Sequence, residues 1–364
     1  MVPLIRKMLK IMGWALLTFV VVISGFLLFM MLTEYNPDQP FKAEIIGRAT
    51  ETAKAKRDFT LLSWNIGYCG MGAEMDFFYD GGKQVIPEES RFQRYFNGIT
   101  TYIRERDTVD LFLLQELDIR SKRAYYTDEP DAVSRVLPGY CHAFAMNYDC
   151  RFVPVPLFRP MGYVKGGLAT WSRMAPETAI GIPFKTNFPW PERLFSLKRC
   201  FLLMRFNLDN GRELVVINTH NSAFDEEGDL RRKEVAILSQ YMTQEYARGN
   251  FVIAGGDWNS NPRGFDPTLV TSGDKVVKLE VPVDTALFPG WHFLYDPKRT
   301  GNRFADMPYI KGETRTTLID FFIASPNLEI REVKTLDCGF AYTDHEPIMV
   351  RIHIPDETLL THED

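Results

Sequence analysis

Short apolar runs alternate with amphipathic segments from about residue 58 to residue 355. The runs are rich in β-branched and aromatic residues, which is typical of strands. We predict strands over 59–67, 110–116, 166–172, 198–208, 213–220, 251–259, 317–325, 329–337 and 347–354. Apolar residues recur at helical spacing around 92–103 and 230–241, which predicts two helices. This mixture predicts a single α/β domain in which two packed sheets are flanked by helices.

The run 11–32, IMGWALLTFVVVISGFLLFMML, contains no charged side chain. A helix of this length spans about 33 Å, which is enough to cross the hydrocarbon core of a bilayer. The preceding flank, residues 1–10, contains three basic and no acidic residues: Arg6, Lys7 and Lys10. The positive-inside rule therefore predicts a single-pass membrane anchor with a cytoplasmic N-terminus and an extracytoplasmic domain. A cleaved signal peptide is the alternative, but the run is longer than usual for one.

The rest of the chain divides into three parts by composition. The segment 33–57 is polar and contains Pro37 and Pro40, so we predict a flexible tether there. The catalytic domain is expected to cover 58–355, and a short tail follows over 356–364. Within the domain, the segments 70–89, 120–163 and 287–312 show no clear pattern, and we expect them to be specificity loops.

The charge balance argues against a protein that neutralises many phosphates. The chain has 42 Lys and Arg residues and 47 Asp and Glu residues. Removing the three basic residues before the apolar run leaves 39 against 47, a net charge of −8. Nucleic acid is therefore a disfavoured partner, although a local basic groove would override the overall balance. The five cysteines lack the spacing of a zinc site, so no thiolate metal centre is expected.

Polar residues recur where the apolar runs end. Five runs lead into Asn65, Glu116, His220, Asp257 and Asp320, and three further polar residues lie near such ends: Asn259, Asp344 and His345. A single ending of this kind is ordinary because turns favour these residue types, but five are hard to attribute to turns. If the ends converge, carboxylates, amides and imidazoles meet at one mouth. Such a set suits attack of water on a phosphate with bound Mg²⁺ or Mn²⁺, since hard cations prefer oxygen ligands and histidine transfers protons near neutrality.

Seven motifs follow one another in the order of a known superfamily. They are SWNIG (63–67), LLQE (113–116), GGLAT (166–170), INTH (217–220), GGDWN (255–259), LIDFF (318–322) and TDHEP (343–347). In this order they resemble the endonuclease/exonuclease/phosphatase superfamily, which includes deoxyribonucleases, inositol polyphosphate 5-phosphatases and neutral sphingomyelinases. TDH in place of SDH and LID in place of RID are minor departures. The resemblance implies a four-layer α/β/β/α sandwich with the site at one edge of both sheets.

The resemblance also implies a magnesium or manganese site. Glu116 resembles the main metal ligand of the superfamily, and Asn65 lies beside it in the family pattern. Asp344 resembles a second ligand or an orienting carboxylate. The number of metal ions stays open.

The remaining positions resemble the catalytic residues of the superfamily. His345 resembles the histidine that activates water or stabilises the developing charge, and Asp320 the carboxylate hydrogen-bonded to it. Asp257 and Asn259 resemble the pair that orients the nucleophile and the phosphate. His220 resembles a histidine that contacts the phosphate or donates a proton. Whether Asp257 or His345 is the base stays open.

Together, these features predict a membrane-tethered phosphoesterase, a metal-dependent hydrolase of a phosphodiester or phosphomonoester. A lipid head group is the expected substrate, as in the sphingomyelinase-like branch. The apolar segment 152–158 is expected near the rim of the site, although it is also typical of a proline-stiffened connection. An extracytoplasmic nuclease is the alternative, and a non-catalytic binding module is less favoured because all eight polar positions are present.

Overall fold

The computed structural model describes residues 2–225, 227–271 and 277–355, so the expected tail, 356–364, lies outside the described residues. Within the described ranges, two seven-stranded sheets pack face to face, and helices cover their outer faces. The predicted α/β class and the sandwich of two sheets between helices are confirmed.

Four helices and sixteen strands are present in the described residues. The helices are α1 (Val2–Leu32), α2 (Glu89–Arg104), α3 (Glu129–Val136) and α4 (Asp229–Ala247). The first eight strands are β1 (Phe41–Lys42), β2 (Ile45–Gly47), β3 (Asp58–Asn65), β4 (Leu111–Asp118), β5 (Cys141–Val153), β6 (Gly162–Ser172), β7 (Thr178–Pro183) and β8 (Cys200–Asn207). The others are β9 (Glu213–His220), β10 (Phe251–Asp257), β11 (His292–Leu294), β12 (Asn302–Arg303), β13 (Thr316–Thr317), β14 (Asp320–Ala324), β15 (Glu329–Thr335) and β16 (Ile348–His353).

The first sheet has the strand order β1-β7-β8-β9-β10-β14-β11, and the second has the order β15-β16-β3-β4-β6-β5-β2. In the first sheet, β9 and β10 are parallel and β14 runs antiparallel to β10. In the second sheet, β3 and β4 are parallel and β6 runs antiparallel to β4. The carboxyl ends of β3, β4, β9 and β10 and the first residue of β14 are the ends that carry the polar residues.

Three apolar layers hold the sandwich together. The layer between the sheets joins Leu61 and Leu113 of the second sheet to Val216 and Ile253 of the first. On the outer faces, α4 packs through Leu238 against the first sheet, and α2 and α3 pack against the second. Both predicted helices are present as α2 and α4. The chain leaves α4 at Gly249, whose φ of +85° suits a glycine after a helix end.

The layer between the sheets becomes polar directly beneath the polar strand ends. Gln115 Nε2 donates to Asn218 Oδ1 at 2.7 Å and to Ser63 Oγ at 3.2 Å. Asn218 Nδ2 donates in turn to the carbonyl oxygens of Leu114 at 3.1 Å and Ala169 at 3.0 Å. Gln115 Oε1 has no hydrogen-bond partner in the described residues, but the amide hydrogen bonds of the two side chains are directional and fix geometry more strictly than apolar packing does. These two side chains therefore hold the sheets in register at the edge where the polar residues meet.

The apolar run predicted to span a membrane lies within α1, which is long and apolar enough to do so over Pro3–Leu32. Only 6% of its most apolar window is buried in the protein, so α1 is not a core helix of the domain. Its last two turns are the exception. Phe26 lies against Phe152 and Phe195, and Met30 is 2% exposed.

The segment 33–57 differs from the flexible tether expected there. Glu34 pairs with Lys198 at 2.9 Å and with Arg193 at 3.4 Å, and the Tyr35 hydroxyl donates to the carbonyl of Met146 at 3.0 Å. After this, β1 joins the edge of the first sheet through β7, and β2 joins the edge of the second through β5. Strands of two and three residues are too short to leave an alternating pattern in a sequence.

The segment expected as a specificity loop over 120–163 contains regular structure. It forms α3 and β5, and β5 pairs with both β6 and β2. The connection between β5 and β6, residues 154–161, projects beyond the end of β4, because Asp118 of β4 lies opposite Gly166 of β6. This connection therefore lies at the same edge of the sandwich as the polar strand ends.

Candidate active site

The polar strand ends converge at one edge of the sandwich. Asn65, His220 and Asp257 end their strands, and Glu116 lies two residues before the end of β4. Asp257 lies opposite His220 in the parallel ladder and opposite Asp320 in the antiparallel one. Since β14 is antiparallel to β10, its first residue lies at the same edge as the last residue of β10.

The carboxylate of Asp257 is contacted by side chains from both sheets. Its Oδ2 accepts a hydrogen bond from Asn65 Nδ2 at 3.1 Å, and His220 Nε2 and His345 Nε2 lie 3.4 and 3.8 Å from the same oxygen. Its Oδ1 accepts from the backbone N–H of Asn259 at 2.9 Å. Asp257 is only 2% exposed, so these groups meet out of contact with bulk solvent.

His345 and Asp320 form a buried pair. His345 Nδ1 lies 2.7 Å from Asp320 Oδ2, which leaves Nε2 facing Asp257 and, at 3.0 Å, the side-chain amide of Asn302. Burial lowers the pKa of His345, but the charges of Asp320 and Asp257 outweigh burial, so this pKa lies well above its usual value. Burial also raises the pKa of Asp320, to about 7. Both pKa values are raised, so the His345–Asp320 pair holds a proton at neutral pH.

His220 has the opposite character. It is 1% exposed, and its Nδ1 has no hydrogen-bond partner among the described residues. Burial and the positive charges of Arg199 and His345 lower the pKa of His220 well below its usual value. Its Nε2 lies 3.4 Å from Asp257 and 3.6 Å from Glu116 Oε1. The imidazole is therefore neutral at pH 7, in contact range of both carboxylates.

Glu116 is directed into the mouth by a break in β4. The β4–β6 ladder shifts register between Leu114 and Leu117, and Glu116 adopts a left-handed φ of +58°. Such a φ is strained for a residue other than glycine and is found at functional positions. Burial and the negative charge of Asp344 raise the pKa of Glu116 to about 7, although Arg199 and His345 act in the other direction.

The predicted ligands fit a divalent cation. Among the described residues, no hydrogen bond reaches the carboxylate of Glu116, and Asp344 is close enough to raise its pKa. Two carboxylates that destabilise each other's charge form the kind of oxygen-rich site that Mg²⁺ or Mn²⁺ relieves. Asn65 lies beside Asp257, with its own Oδ1 accepting from the N–H of Gly67 at 3.0 Å.

A second cluster has atoms close enough together to bind a metal ion, but a hydrogen bond between two of its members already occupies them. The possible ligand atoms of Asp257, Asp320 and His345 lie within 4.8 Å of one another. The shortest distance in this cluster is the 2.7 Å hydrogen bond between His345 and Asp320, which occupies the Nδ1 and Oδ2 atoms. A metal ion held by these atoms would have to displace this hydrogen bond. The set Glu116 and Asp344 therefore fits a cation better.

Asn259 lies at the rim rather than in the centre of the site. Its side-chain amide donates to the carbonyl of Asn221 at 2.9 Å, directly after His220 in the chain. With a left-handed φ of +48°, Asn259 turns the chain away from β10. The structure thus brings all eight predicted residues to one edge, with Asn259 at its periphery.

Comparison with protein families agrees with this geometry. The model of the Endonuclease/Exonuclease/phosphatase family matches residues 62–345, more than three quarters of the chain. The chain belongs to the endonuclease/exonuclease/phosphatase family. Members of this family are hydrolases of phosphoesters, and the resemblance stated from the motifs is confirmed.

Solved structures share the fold of this family at low sequence identity. An endonuclease/exonuclease/phosphatase from Beutenbergia cavernae DSM 12333 is 15% identical with a TM-score of 0.55, covering 82% of this chain and 72% of its own. ANGEL2, a 2',3'-cyclic phosphatase, is 13% identical with a TM-score of 0.51, covering 86% and 98%. A family protein from Bacteroides vulgatus is 15% identical with a TM-score of 0.50, covering 82% and 100%. Identities this low show the fold alone. A comparison with curated proteins finds no match.

Arg199 is a site residue of this family member that the motifs do not reveal. It precedes β8, is 8% exposed, and its Nη1 is buried without a hydrogen-bond partner in the described part of the chain. Its positive charge lowers the pKa of both His220 and Glu116, which places the guanidinium beside them. The sequence carries little signal for a buried cation at this position, since a Lys-Arg pair at the start of a strand is usually solvated.

Two further residues complete the mouth. Asn302, in the two-residue strand β12, contacts Nε2 of His345 from a segment expected to be a loop. Arg123 is 6% exposed and binds Asp118 with two hydrogen bonds of 2.8 and 3.0 Å. Its guanidinium also stacks 3.1 Å from the ring centroid of Tyr68, so it supports the wall of the site next to Glu116. Neither residue belongs to a motif, and the topology alone brings them here.

Proposed function

We propose that this protein is a membrane-anchored, metal-dependent phosphoesterase that hydrolyses the phosphoester of a lipid head group. The eight converging residues support the phosphoester chemistry. The choice of a lipid is supported by one observation above all: α1 packs against the edge of the domain that carries the site.

The contact with α1 is made by the hairpin next to the mouth. Phe26 of α1 lies 6.2 Å from Phe152, near the end of β5. Gly162, the first residue of β6, lies opposite Val153 at that end of β5, and four residues later Gly166 lies opposite Asp118 at the end of β4. If α1 spans a bilayer, the mouth faces the membrane surface rather than the bulk solution.

Apolar side chains also line the rim of the mouth. Tyr79 and Phe224, which are 38% and 60% exposed, lie against each other with ring centroids 6.1 Å apart. Phe224 follows His220 by four residues, so this pair lies beside the catalytic groups. An aromatic rim suits the boundary between lipid head groups and acyl chains.

The residues divide the reaction between them. Asp257 is the acceptor for the proton of the attacking water, because the proton-holding His345–Asp320 pair is a donor. His345 then stabilises charge on the phosphate or protonates the leaving oxygen through Nε2. His220, neutral and tied to neither carboxylate by a short hydrogen bond, donates to a phosphate oxygen, and Arg199 supplies a fixed positive charge.

Glu116 and Asp344 would hold the metal ion, with Asn65 beside them. The chemistry that Mg²⁺ or Mn²⁺ supplies in such a site is neutralisation of the phosphate oxygens and a lowered pKa of a bound water. The side chain of Glu116 is 18% exposed, so its carboxylate can be reached from the mouth while most of the side chain is screened from bulk solvent. The positive charge of Arg199, which lowers the pKa of Glu116, offsets part of the negative charge of these two carboxylates.

The full chain, reconstituted in vesicles, tests this proposal. Vesicles containing sphingomyelin, phosphatidylcholine or phosphoinositides, together with free DNA and RNA, should be assayed with Mg²⁺ and with EDTA. We expect metal-dependent release from at least one lipid and none in an Asp257→Asn variant. Cleavage of nucleic acid without release from any lipid would overturn the lipid substrate and favour the nuclease alternative.

A reporter fused after residue 364 tests the predicted orientation. Basic residues before the apolar run favour a cytoplasmic N-terminus, so a phosphatase-type reporter should be active only outside the cytoplasm. A reporter active inside would reverse the orientation without affecting the chemistry.

A further inference from the structure

The connection between β5 and β6 exposes a run of apolar side chains. Phe158 is 94% exposed, Leu157 is 80% exposed, and Phe152 and Val155 are 39% and 38% exposed. Side chains of this size seldom lie together on a surface that faces only water. We call residues 152–158 the apolar tip.

The base of the apolar tip and the end of α1 form one apolar cluster. Phe26 meets Phe152 edge-on at 6.2 Å and stacks on Phe195 at 6.0 Å. Met30 is 2% exposed and belongs to the same cluster as Val153, at the end of β5. The tip is therefore fixed beside the last two turns of α1.

The length of α1 sets the depth of this contact. At about 1.5 Å per residue, a hydrocarbon core of about 30 Å takes about 20 residues. Counted from Lys10, the last charged residue before the apolar run, such a span ends near Met30. Phe26 then lies about 6 Å below the surface of the hydrocarbon core. The side chains that touch Phe26 must lie at a similar depth.

Shifting α1 along the membrane normal does not easily bring Phe26 and the side chains that touch it out of the hydrocarbon core. To bring Phe26 out of the hydrocarbon core, α1 would have to shift by more than a turn. Lys10 and then Lys7 would enter the core at the other end, and charged side chains are strongly disfavoured there. The domain is instead drawn towards the bilayer at the point where α1 leaves it.

We infer that the apolar tip inserts into the bilayer leaflet beside α1 and holds the mouth of the site at the head-group layer. Arg151 and Arg159 flank the tip and are exposed, so their charged groups remain among the phosphates of the head groups while Leu157 and Phe158 enter the acyl chains. This inference rests on the proposed membrane anchoring of α1, but not on the identity of the substrate.

Depth measurements on the full chain in phosphatidylcholine vesicles test the insertion. An environment-sensitive fluorescent label is attached to Phe158→Cys in a Cys338→Ser background, since the other four cysteines are buried. We expect blue-shifted emission that nitroxide-labelled lipids quench and aqueous iodide does not. The matched control is Leu269→Cys, an exposed apolar residue outside the cluster, whose label should be quenched by iodide only.

A third label separates the two possible failures. Leu17→Cys lies in the middle of α1 and reports whether the anchor itself is in the lipid. A lipid-exposed Leu17 label with an iodide-accessible Phe158 label would overturn insertion of the tip and leave the anchor. If neither label meets lipid, the anchoring and the insertion both fail. If no quencher reaches the Phe158 label, another protein or a second copy covers the tip, which also overturns the inference.

Activity supplies a second readout. Leu157→Asp together with Phe158→Asp should lower hydrolysis of lipid in vesicles at least tenfold, while hydrolysis of a soluble phosphodiester such as bis(4-nitrophenyl) phosphate is unchanged. Leu269→Asp should change neither. This readout applies once the parent protein has been found to hydrolyse a lipid in vesicles, and equal rates for the tip variant and the parent would then contradict the inference.

Discussion

The two histidines on either side of Asp257 are equally buried but differ in charge. His345 and His220 are 4% and 1% exposed, and both direct Nε2 towards the same carboxylate oxygen. The pKa of His345 is well above its usual value, whereas that of His220 is well below. Burial alone lowers the pKa of any imidazole, so the difference arises from the neighbours. Asp320 binds Nδ1 of His345, and no group in the described residues binds Nδ1 of His220.

In the proposed reaction, this difference suits the two imidazoles to separate tasks. An imidazole that retains its proton is suited to stabilise charge or protonate a leaving group. A neutral imidazole beside Arg199 contributes a hydrogen bond without adding charge repulsion. The site thus contains one positively charged and one neutral nitrogen donor within reach of one carboxylate, and the predictions below test how far this asymmetry extends.

The largest effect is expected from breaking the His345–Asp320 pair. His345→Ala and Asp320→Asn should each lower kcat by about 10³- to 10⁴-fold, because proton transfer and its orientation are lost together. The double variant should lose little more than either single variant, since groups that act as a unit are not additive. Steady-state kinetics measure this, with circular dichroism as the control for folding. Losses that multiply would show that the two residues act separately.

A large effect is also expected at the metal ligands. Glu116→Gln should lower activity by about 10²-fold or more, as loss of a charged ligand weakens metal binding. In the parent protein, metal affinity should fall about tenfold per pH unit below 7, because the pKa of Glu116 is raised to about 7 and the protonated carboxyl cannot bind a cation. Calorimetric titration with Mg²⁺ or Mn²⁺ at pH 8, 7 and 6 measures this. Affinity that does not change with pH would place the metal elsewhere.

An intermediate effect is expected at Arg199, whose positive charge lowers the pKa of His220. Arg199→Met should raise the pKa of His220 towards its usual value, because a neighbouring positive charge is removed. It should also lower kcat/KM about 10- to 100-fold if the guanidinium binds the phosphate. Histidine resonances followed by NMR over pH give the first quantity, and kinetics give the second. Arg199→Lys is the matched control that keeps the charge, and an unchanged pKa in the methionine variant would contradict the proximity.

The smallest effect is expected at Asn302. Its Nδ2 lies 3.0 Å from Nε2 of His345 and donates to that nitrogen only after the imidazole has given up its proton there, and one such hydrogen bond contributes about 1 kcal/mol. Asn302→Ala should therefore lower kcat less than about tenfold. The alkaline limb of the pH–rate profile should move to higher pH, because loss of a donor to the unprotonated Nε2 raises the pKa of His345. A profile identical to that of the parent protein would show that Asn302 does not act on His345.

The sequence predicts the residues of the site better than it predicts the strands and connections that surround them. Asn65, His220 and Asp257 end strands that are buried on both faces and therefore read as continuous apolar runs, so their position at a sheet edge follows from the pattern. Their order along the chain then matches a family, which links residues more than 250 positions apart. The roles assigned to the eight residues stay predictions, because the geometry gives distances and charges but no turnover.

Other parts depend on tertiary contacts that leave no local signal. The strand β5 contains Ala143, Ala145, Asn147 and Asp149, which are poor strand formers, and it forms because two neighbours pair with it. Arg199 is buried because the tertiary fold places the residue before β8 close to His220 and Glu116. The segment 33–57 was expected to be flexible from its polarity, and its ordering depends on ion pairs with residues that are far away in the chain, such as Lys198.

The two short strands after α1 have a consequence for how the protein finds its substrate. Only Ala43 and Glu44 separate β1 from β2, and these strands fasten the chain to opposite sheets. The chain that follows α1 is therefore attached to both sheets, so the catalytic domain cannot rotate about a flexible hinge next to the anchor. If α1 lies in a bilayer and the substrate is a lipid, as proposed, the mouth has one fixed height and tilt, and the search for substrate is two-dimensional. Turnover would then follow the mole fraction of substrate in the leaflet and the lateral diffusion of lipid, and would be insensitive to the total amount of lipid in suspension.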